Sequence, residues 1–184
     1  MGRSTRARAW WLGITLALVG CGRVGFEPPD AGVDGGPLVL SCAGNEPCSL
    51  SCRAAPCTGR CEGGSSCTLE ADDAERLDFA CEAAAECSVR ADDVEVVAAR
   101  CAPSSSCQID CEGVEGCEVA CAEGASCELT CSRSAVCRLR CEPGAACTLR
   151  CPWLSLGICE IEGCSDGLLT ECSSRVSICG GACP

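Results

Sequence analysis

The sequence predicts an all-β fold: a short, disulfide-laddered parallel β-solenoid of about 20 residues per coil, closed by an irregular Cys-rich C-terminal cap. Three observations carry this. Cysteine supplies 25 of the 184 residues, the density of a disulfide scaffold rather than of an ordinary core. From residue 61 to residue 151 the chain repeats every ten residues with no insertion, most clearly in CEGVEGCEVA CAEGASCELT CSRSAVCRLR CEPGAACTLR C, residues 111–151. Within each unit the pattern Cys-x-apolar-x-Cys alternates with period two, which puts both cysteines and the apolar residue on one face of a short strand.

The N-terminal segment has a different design. Arg3, Arg6 and Arg8 precede an apolar run over residues 9–20, AWWLGITLALVG. As a helix that run would be about 18 Å long, too short for a hydrocarbon core of about 30 Å, and it reads as a signal peptide over residues 1–20. It ends in Leu18-Val19-Gly20-Cys21, which resembles the lipobox of bacterial lipoproteins. The resemblance covers the first 21 residues. It implies that Cys21 is the lipid-attachment residue, carries fatty-acyl chains such as palmitate, and becomes the first residue of the mature chain. Residue 22 is Gly rather than Asp, which by analogy with lipoprotein sorting implies the outer membrane. Residues 21–37 then form the lipidated Cys and a flexible tether rich in Gly, Pro and Asp.

Residues 38–151 form the repeat array. Leu38 and Leu40 precede Cys42 with strand alternation and begin its first side. The ninth position of the unit is apolar at Leu50, Leu69, Phe79, Val89, Ile109, Val119, Leu129, Leu139 and Leu149. The five residues between the first and seventh positions are small, polar or Gly and read as a turn. Removing Cys21 leaves an even number of cysteines for bridges in an exported protein. The bridge cysteines expected in the array are Cys42, Cys48, Cys52, Cys57, Cys61, Cys67, Cys81, Cys87, Cys101, Cys107, Cys111, Cys117, Cys121, Cys127, Cys131, Cys137, Cys141 and Cys147.

Which of them pair follows from where they are missing. Two units, ADDAERLDFA and ADDVEVVAAR, lack both cysteines and carry Ala71 with Leu77 and Ala91 with Val97 instead. Loss is coordinated within a unit, so the first and seventh positions of one unit bond to each other. Geometry agrees, because cysteines four apart on a strand sit about 13 Å apart and a bridge needs Cα atoms within about 7 Å. Stacked equivalents lie about 4.8 Å apart, so pairing between coils is the alternative.

Residues 61–80 and 81–100 also resemble each other, which points to a coil made of two ten-residue sides. Cys67/Leu69, Leu77/Phe79 and Cys87/Val89 are similar to the small–x–large signature of pentapeptide-repeat proteins, whose coils have this length. Glu82/Ala84 and Ser132/Ser134 depart from it. Insect antifreeze β-helices also combine short coils with regular Cys, but their flat Thr ladders have no counterpart in the scattered Thr58, Thr68, Thr130 and Thr148. After Cys151 the period fails. Residues 152–184 hold Trp153, Leu154, Leu156, Ile158, Leu168 and Leu169, a bulky set suited to covering the open end of a stack. Spacing assigns no pairs among Cys151, Cys159, Cys164, Cys172, Cys179 and Cys183.

Composition narrows the function. The net charge is −12, His is absent, and every basic residue is Arg. Removing residues 1–20 takes away three arginines and no acid, so the mature chain is more negative still. Nucleic acid is not an expected partner, because phosphate binding needs clustered positive charge. The common imidazole base and amine nucleophile are missing, and no Gly-rich phosphate loop is present. No C-x2-C pair offers a zinc site. Asp72, Asp73, Asp92 and Asp93 recur at the coil period and form the candidate for Ca²⁺. The expectation is a non-enzymatic, membrane-anchored lipoprotein without a cofactor, a structural or binding module at the cell envelope. Its partners would be the membrane, through lipid on Cys21, and a basic protein or envelope polymer. The alternative is a Ca²⁺-binding envelope protein using the acidic turns.

Overall fold

The computed structural model describes residues 36–44, 46–152, 157–164, 169–173, 175–181 and 183. The signal peptide, Cys21, the tether up to residue 35, and Trp153, Leu154, Leu156 and Leu168 lie outside the described residues. Among the described residues the chain forms strands only, and no helix is long and apolar enough to cross a membrane.

The strands in chain order are β1 (Leu38–Cys42), β2 (Cys48–Arg53), β3 (Cys57–Cys61), β4 (Ser66–Asp72), β5 (Arg76–Cys81), β6 (Glu86–Asp92), β7 (Val96–Cys101) and β8 (Ser106–Glu112). They continue as β9 (Gly116–Cys121), β10 (Ser126–Ser132), β11 (Val136–Cys141), β12 (Ala146–Arg150), β13 (Ile158–Glu162), β14 (Leu169–Ser173) and β15 (Val176–Cys179). The odd-numbered strands from β1 to β13 make one parallel sheet, and the even-numbered strands from β2 to β12 make the other. Each coil contributes one strand to each sheet, so the array is a parallel β-solenoid. Equivalent positions stack in register: Cys117 lies beside Cys137, Leu129 beside Leu149 and Cys61 beside Cys81.

Alternation sets the core. Leu69, Leu77, Ile109, Leu129 and Leu139 are completely or almost completely buried between the sheets, together with most of the cysteines. The ninth position holds two small residues, Gly59 and Ala99, and the register explains both. They flank Phe79 on the coils before and after it. A Cβ at Gly59 would sit 2.6 Å from Leu69 Cδ1 and 2.8 Å from Phe79 Cδ2, so the large ring is accommodated by small neighbours along the stack.

Bridges join the end of one strand to the start of the next, across the rim between the two sheets. One rim carries six in consecutive coils: Cys42–Cys48, Cys61–Cys67, Cys81–Cys87, Cys101–Cys107, Cys121–Cys127 and Cys141–Cys147. The opposite rim carries Cys52–Cys57, Cys111–Cys117, Cys131–Cys137 and Cys151–Cys159. Between Cys52–Cys57 and Cys111–Cys117, two rungs of this rim are apolar. Ala71 and Ala91 continue the column from Cys52 to Cys111, while Leu77 and Val97 continue the column from Cys57 to Cys117. All four side chains are buried, so packing fills the space of the absent sulfurs.

The two rims also turn differently. On the six-bridge rim the turn closes on itself: the Ala125 amide donates to the Ala122 carbonyl at 3.0 Å, with Gly124 at φ +73°. Pro103 and Pro143 occupy the preceding turn position, where a fixed φ suits the bend. On the other rim the turn bonds outward to the next coil. The Asp93 amide donates to the Glu112 carbonyl at 3.0 Å, and the Gly113 amide to that of Ser132 at 2.9 Å.

Past Cys151 the stack continues further than the cysteine spacing suggests. β13 lies parallel on β11, with Cys159 beside Cys137 and Ile161 beside Leu139. Cys151 and Cys159 are eight residues apart instead of six, which hides this rung from a ten-residue frame. The remainder closes the even-numbered sheet: β15 pairs antiparallel with β12, and β14 antiparallel with β15. Cys164–Cys179 and Cys172–Cys183 tie this closure.

Candidate functional site

Three surfaces of the solenoid present chemistry. The first is the acidic rim that holds Asp72, Asp73, Asp92 and Asp93. Strand register puts Asp72 beside Asp92 and Asp92 beside Glu112, a carboxylate column one coil apart. The Asp73 amide donates to the Asp92 carbonyl at 3.2 Å, so the second acid of each pair is held in the turn, where Asp73 and Asp93 both adopt φ +52°. Arginines stand at both ends of this column. Arg53 Nε lies 3.9 Å from Asp72, and Arg133 Nη2 lies 2.8 Å from Glu112 and 4.0 Å from Asp92 Oδ1. Asp92 Oδ1 is shielded from solvent and has no hydrogen-bond partner among the described residues. The structure thus stacks the sequence-predicted acids in two adjacent coils and sets guanidinium counter-charges against them. Arg53 and Arg133 are legible only once the coil register is known.

The second surface is the outer face of the odd-numbered sheet. Here Arg138 bridges three coils, with Nη1 at 3.2 Å from Glu118 and Nε at 2.7 Å from Glu160 and 3.0 Å from Glu162. Its hydrogen bond to Glu160 leads the effects that raise the Arg138 pKa. Arg76 donates twice to Asp78, at 2.7 Å from Nε and from Nη2. That hydrogen bonding holds the Asp78 carboxyl below the usual carboxylate range, against the burial that pushes it up. These are exposed or half-exposed pairs, and such pairs contribute little to stability singly. They offset repulsion in an acidic chain.

The third surface is the outer face of the even-numbered sheet. Ser66, Thr68, Glu86, Ser88, Ser106 and Gln108 line an open depression of about 360 Å³. Their hydroxyl, amide and carboxylate groups alternate with the buried Cys and aliphatic positions. Among the described residues no aromatic side chain lines it, so those residues offer hydrogen bonds without a stacking platform.

Every array cysteine from Cys42 to Cys147 lies in a bridge; from Cys61 onward the bridges join the first and seventh positions of one unit, whereas Cys52–Cys57 spans five residues rather than six. Twelve bridges in total use every cysteine of the chain except Cys21, which lies outside the described residues. The sulfurs of Cys101, Cys107 and Cys127 lie within 4.8 Å of one another. All three are in bridges and so offer no thiolate, the form in which cysteine ligates a metal. No family model, curated protein or solved structure matches the chain.

Proposed function

We propose that the protein is a non-enzymatic lipoprotein, held at the outer membrane by acyl chains on Cys21 and presenting the solenoid as a structural or binding module of the cell envelope. The observation that carries this reading is Leu18-Val19-Gly20-Cys21 at the end of a charged-then-apolar leader. The cysteine inventory supports it, since Cys21 is the one cysteine outside the twelve bridges. An acidic body is repelled by anionic headgroups, so the lipid supplies the attachment. The acidic rim suits a basic protein or a cationic stretch of an envelope polymer.

The intact mass of the protein isolated from membranes tests this directly. It is expected to show loss of residues 1–20, added acyl mass, and twelve bridges on comparison with the reduced form. Cys21→Ala is expected to move the protein from the membrane pellet to the soluble fraction. Retention of that variant in the membrane would refute anchoring through Cys21.

A second reading is Ca²⁺ binding at Asp72, Asp73, Asp92 and Asp93, favoured by Asp92 Oδ1, which accepts no hydrogen bond among the described residues. Arg53 and Arg133 already face this column, so the solvated, arginine-bracketed rim is preferred. Titration calorimetry with CaCl₂ is expected to give no binding heat. Saturable heat that disappears in Asp92→Asn would reverse that preference.

A further inference from the structure

The six-bridge rim stacks one bridge per coil. Strand register places Cys101 beside Cys121 and Cys107 beside Cys127, so the bridges Cys101–Cys107 and Cys121–Cys127 lie one directly above the other. Between them the sulfurs of Cys101, Cys107 and Cys127 come within 4.8 Å of one another. The column is dry: each of these three residues is at most 3% exposed. A thiolate held against a neighbouring disulfide is the starting arrangement for thiol–disulfide exchange, and the fold holds it at fixed geometry rather than leaving it to diffusion.

We propose that this rim exchanges bridges between neighbouring coils, and that an unpaired thiol inside it migrates along the column. In the step between these two coils, the Cys127 thiolate attacks Cys107 Sγ. The Cys107–Cys127 bond forms as the Cys101–Cys107 bond breaks, and Cys101 leaves as the thiolate. One S–S bond replaces another, so no external oxidant or reductant is consumed, and the proton given up at Cys127 is taken up at Cys101. Cys101 lies beside Cys81, whose bridge to Cys87 is the next acceptor. Repetition leads through Cys61–Cys67 to Cys42–Cys48. In this column only Cys48 is half-buried rather than buried. A bridge left unformed deep in the solenoid leaves two thiols, and migration of each by the same steps brings them to the terminal coil, where an oxidant can reach them and close the pair.

The opposite rim supplies an internal contrast. Cys57 lies beside Leu38 on one side and Leu77 on the other, so a thiol there has no bridge to attack. The test uses the full chain, purified oxidised, with Cys121→Ser to leave Cys127 unpaired. After incubation at about pH 8.5, where thiolate is plentiful, the protein is quenched with acid, denatured, alkylated and mapped by mass spectrometry. A peptide pair joined through Cys107–Cys127 is expected, with at most about half of the label remaining on Cys127, because the bonds traded are chemically alike. Cys101→Ser approaches from the other side. It is expected to give the same Cys107–Cys127 pair with the label on Cys121 or beyond, and it serves alone if Cys121→Ser does not fold. In Cys52→Ser the label is expected to stay on Cys57. Label confined to Cys127 in the first variant and to Cys107 in the second, with no Cys107–Cys127 peptide, would overturn the proposal. So would migration from Cys57 in Cys52→Ser equal to that in the other two.

Discussion

Complete reduction of the mature protein is expected to abolish its strand content. Nine of the twelve bridges close loops whose ends are five or six residues apart, which stabilises by roughly 2 kcal/mol apiece through the unfolded chain. Together the bridges outweigh the roughly 5–15 kcal/mol by which a typical domain is stable. The interior offers little in compensation: a ten-residue unit buries at most one large ninth-position side chain, Gly59 and Ala99 supply none, and apart from Leu77, Val94, Val97 and Val114 the other core positions of the array are Cys and small residues. Far-ultraviolet circular dichroism before and after reduction and alkylation in denaturant, followed by return to native buffer, measures this. A strand spectrum that survives would show that packing and inter-coil hydrogen bonds suffice. Under mild reduction the order of loss should follow exposure: Cys159 and Cys183 are exposed and Cys48 and Cys172 half-buried, all toward the ends, whereas the bridges from Cys52–Cys57 to Cys141–Cys147 are buried.

Gly59→Val is expected to destabilise the oxidised protein by about 1–3 kcal/mol, the cost of overpacking a close-packed core. The new side chain would start from a Cβ already 2.6 Å from Leu69 and 2.8 Å from Phe79. Neither neighbour has room to retreat, since both lie between two sheets held together at the rims by bridges. Phe79→Ala alone is expected to cost about 3–5 kcal/mol by leaving a cavity. In the double variant the valine occupies part of that cavity, so its destabilisation should fall short of the two single values added together. Guanidinium denaturation of the disulfide-intact proteins supplies the three values. Strict additivity would mean that Gly59 and Phe79 do not share space.

The bridge pairing was legible because two units had lost both cysteines together, and Ala71 with Leu77 and Ala91 with Val97 turn out to be packed substitutes for a bridge. The strand faces were legible from the alternation around residues such as Cys117-Glu118-Val119-Ala120-Cys121. The difference between the rims was not. One rim buries Ser65, Ala85, Ser105, Ala125 and Ala145 at the fifth position, and the other buries Ala74, Val94, Val114 and Ser134 at the fourth. All nine are small or medium-sized residues within turns of similar composition, so a ten-residue frame averages them into one. β13 escaped notice because the longer Cys151–Cys159 loop shifts its register by two. Of the candidate site, the stacking of Asp72 on Asp92 was readable from the coil length. The roles of Arg53 and Arg133 depend on side chains meeting across coils, which linear spacing does not report.

The bridges of the array are local and do not overlap, which has a mechanical consequence. A pull on the chain ahead of Leu38 acts first on β1, an edge strand hydrogen-bonded to β3 alone within its sheet, and peels the ribbon one strand at a time. Each short loop behind a bridge is locked out of the extension, so every detached unit lengthens the chain only by its strand and the span of the bridge. The solenoid should therefore yield under tension in many short, similar steps, like a strip of stitching, rather than by one abrupt rupture.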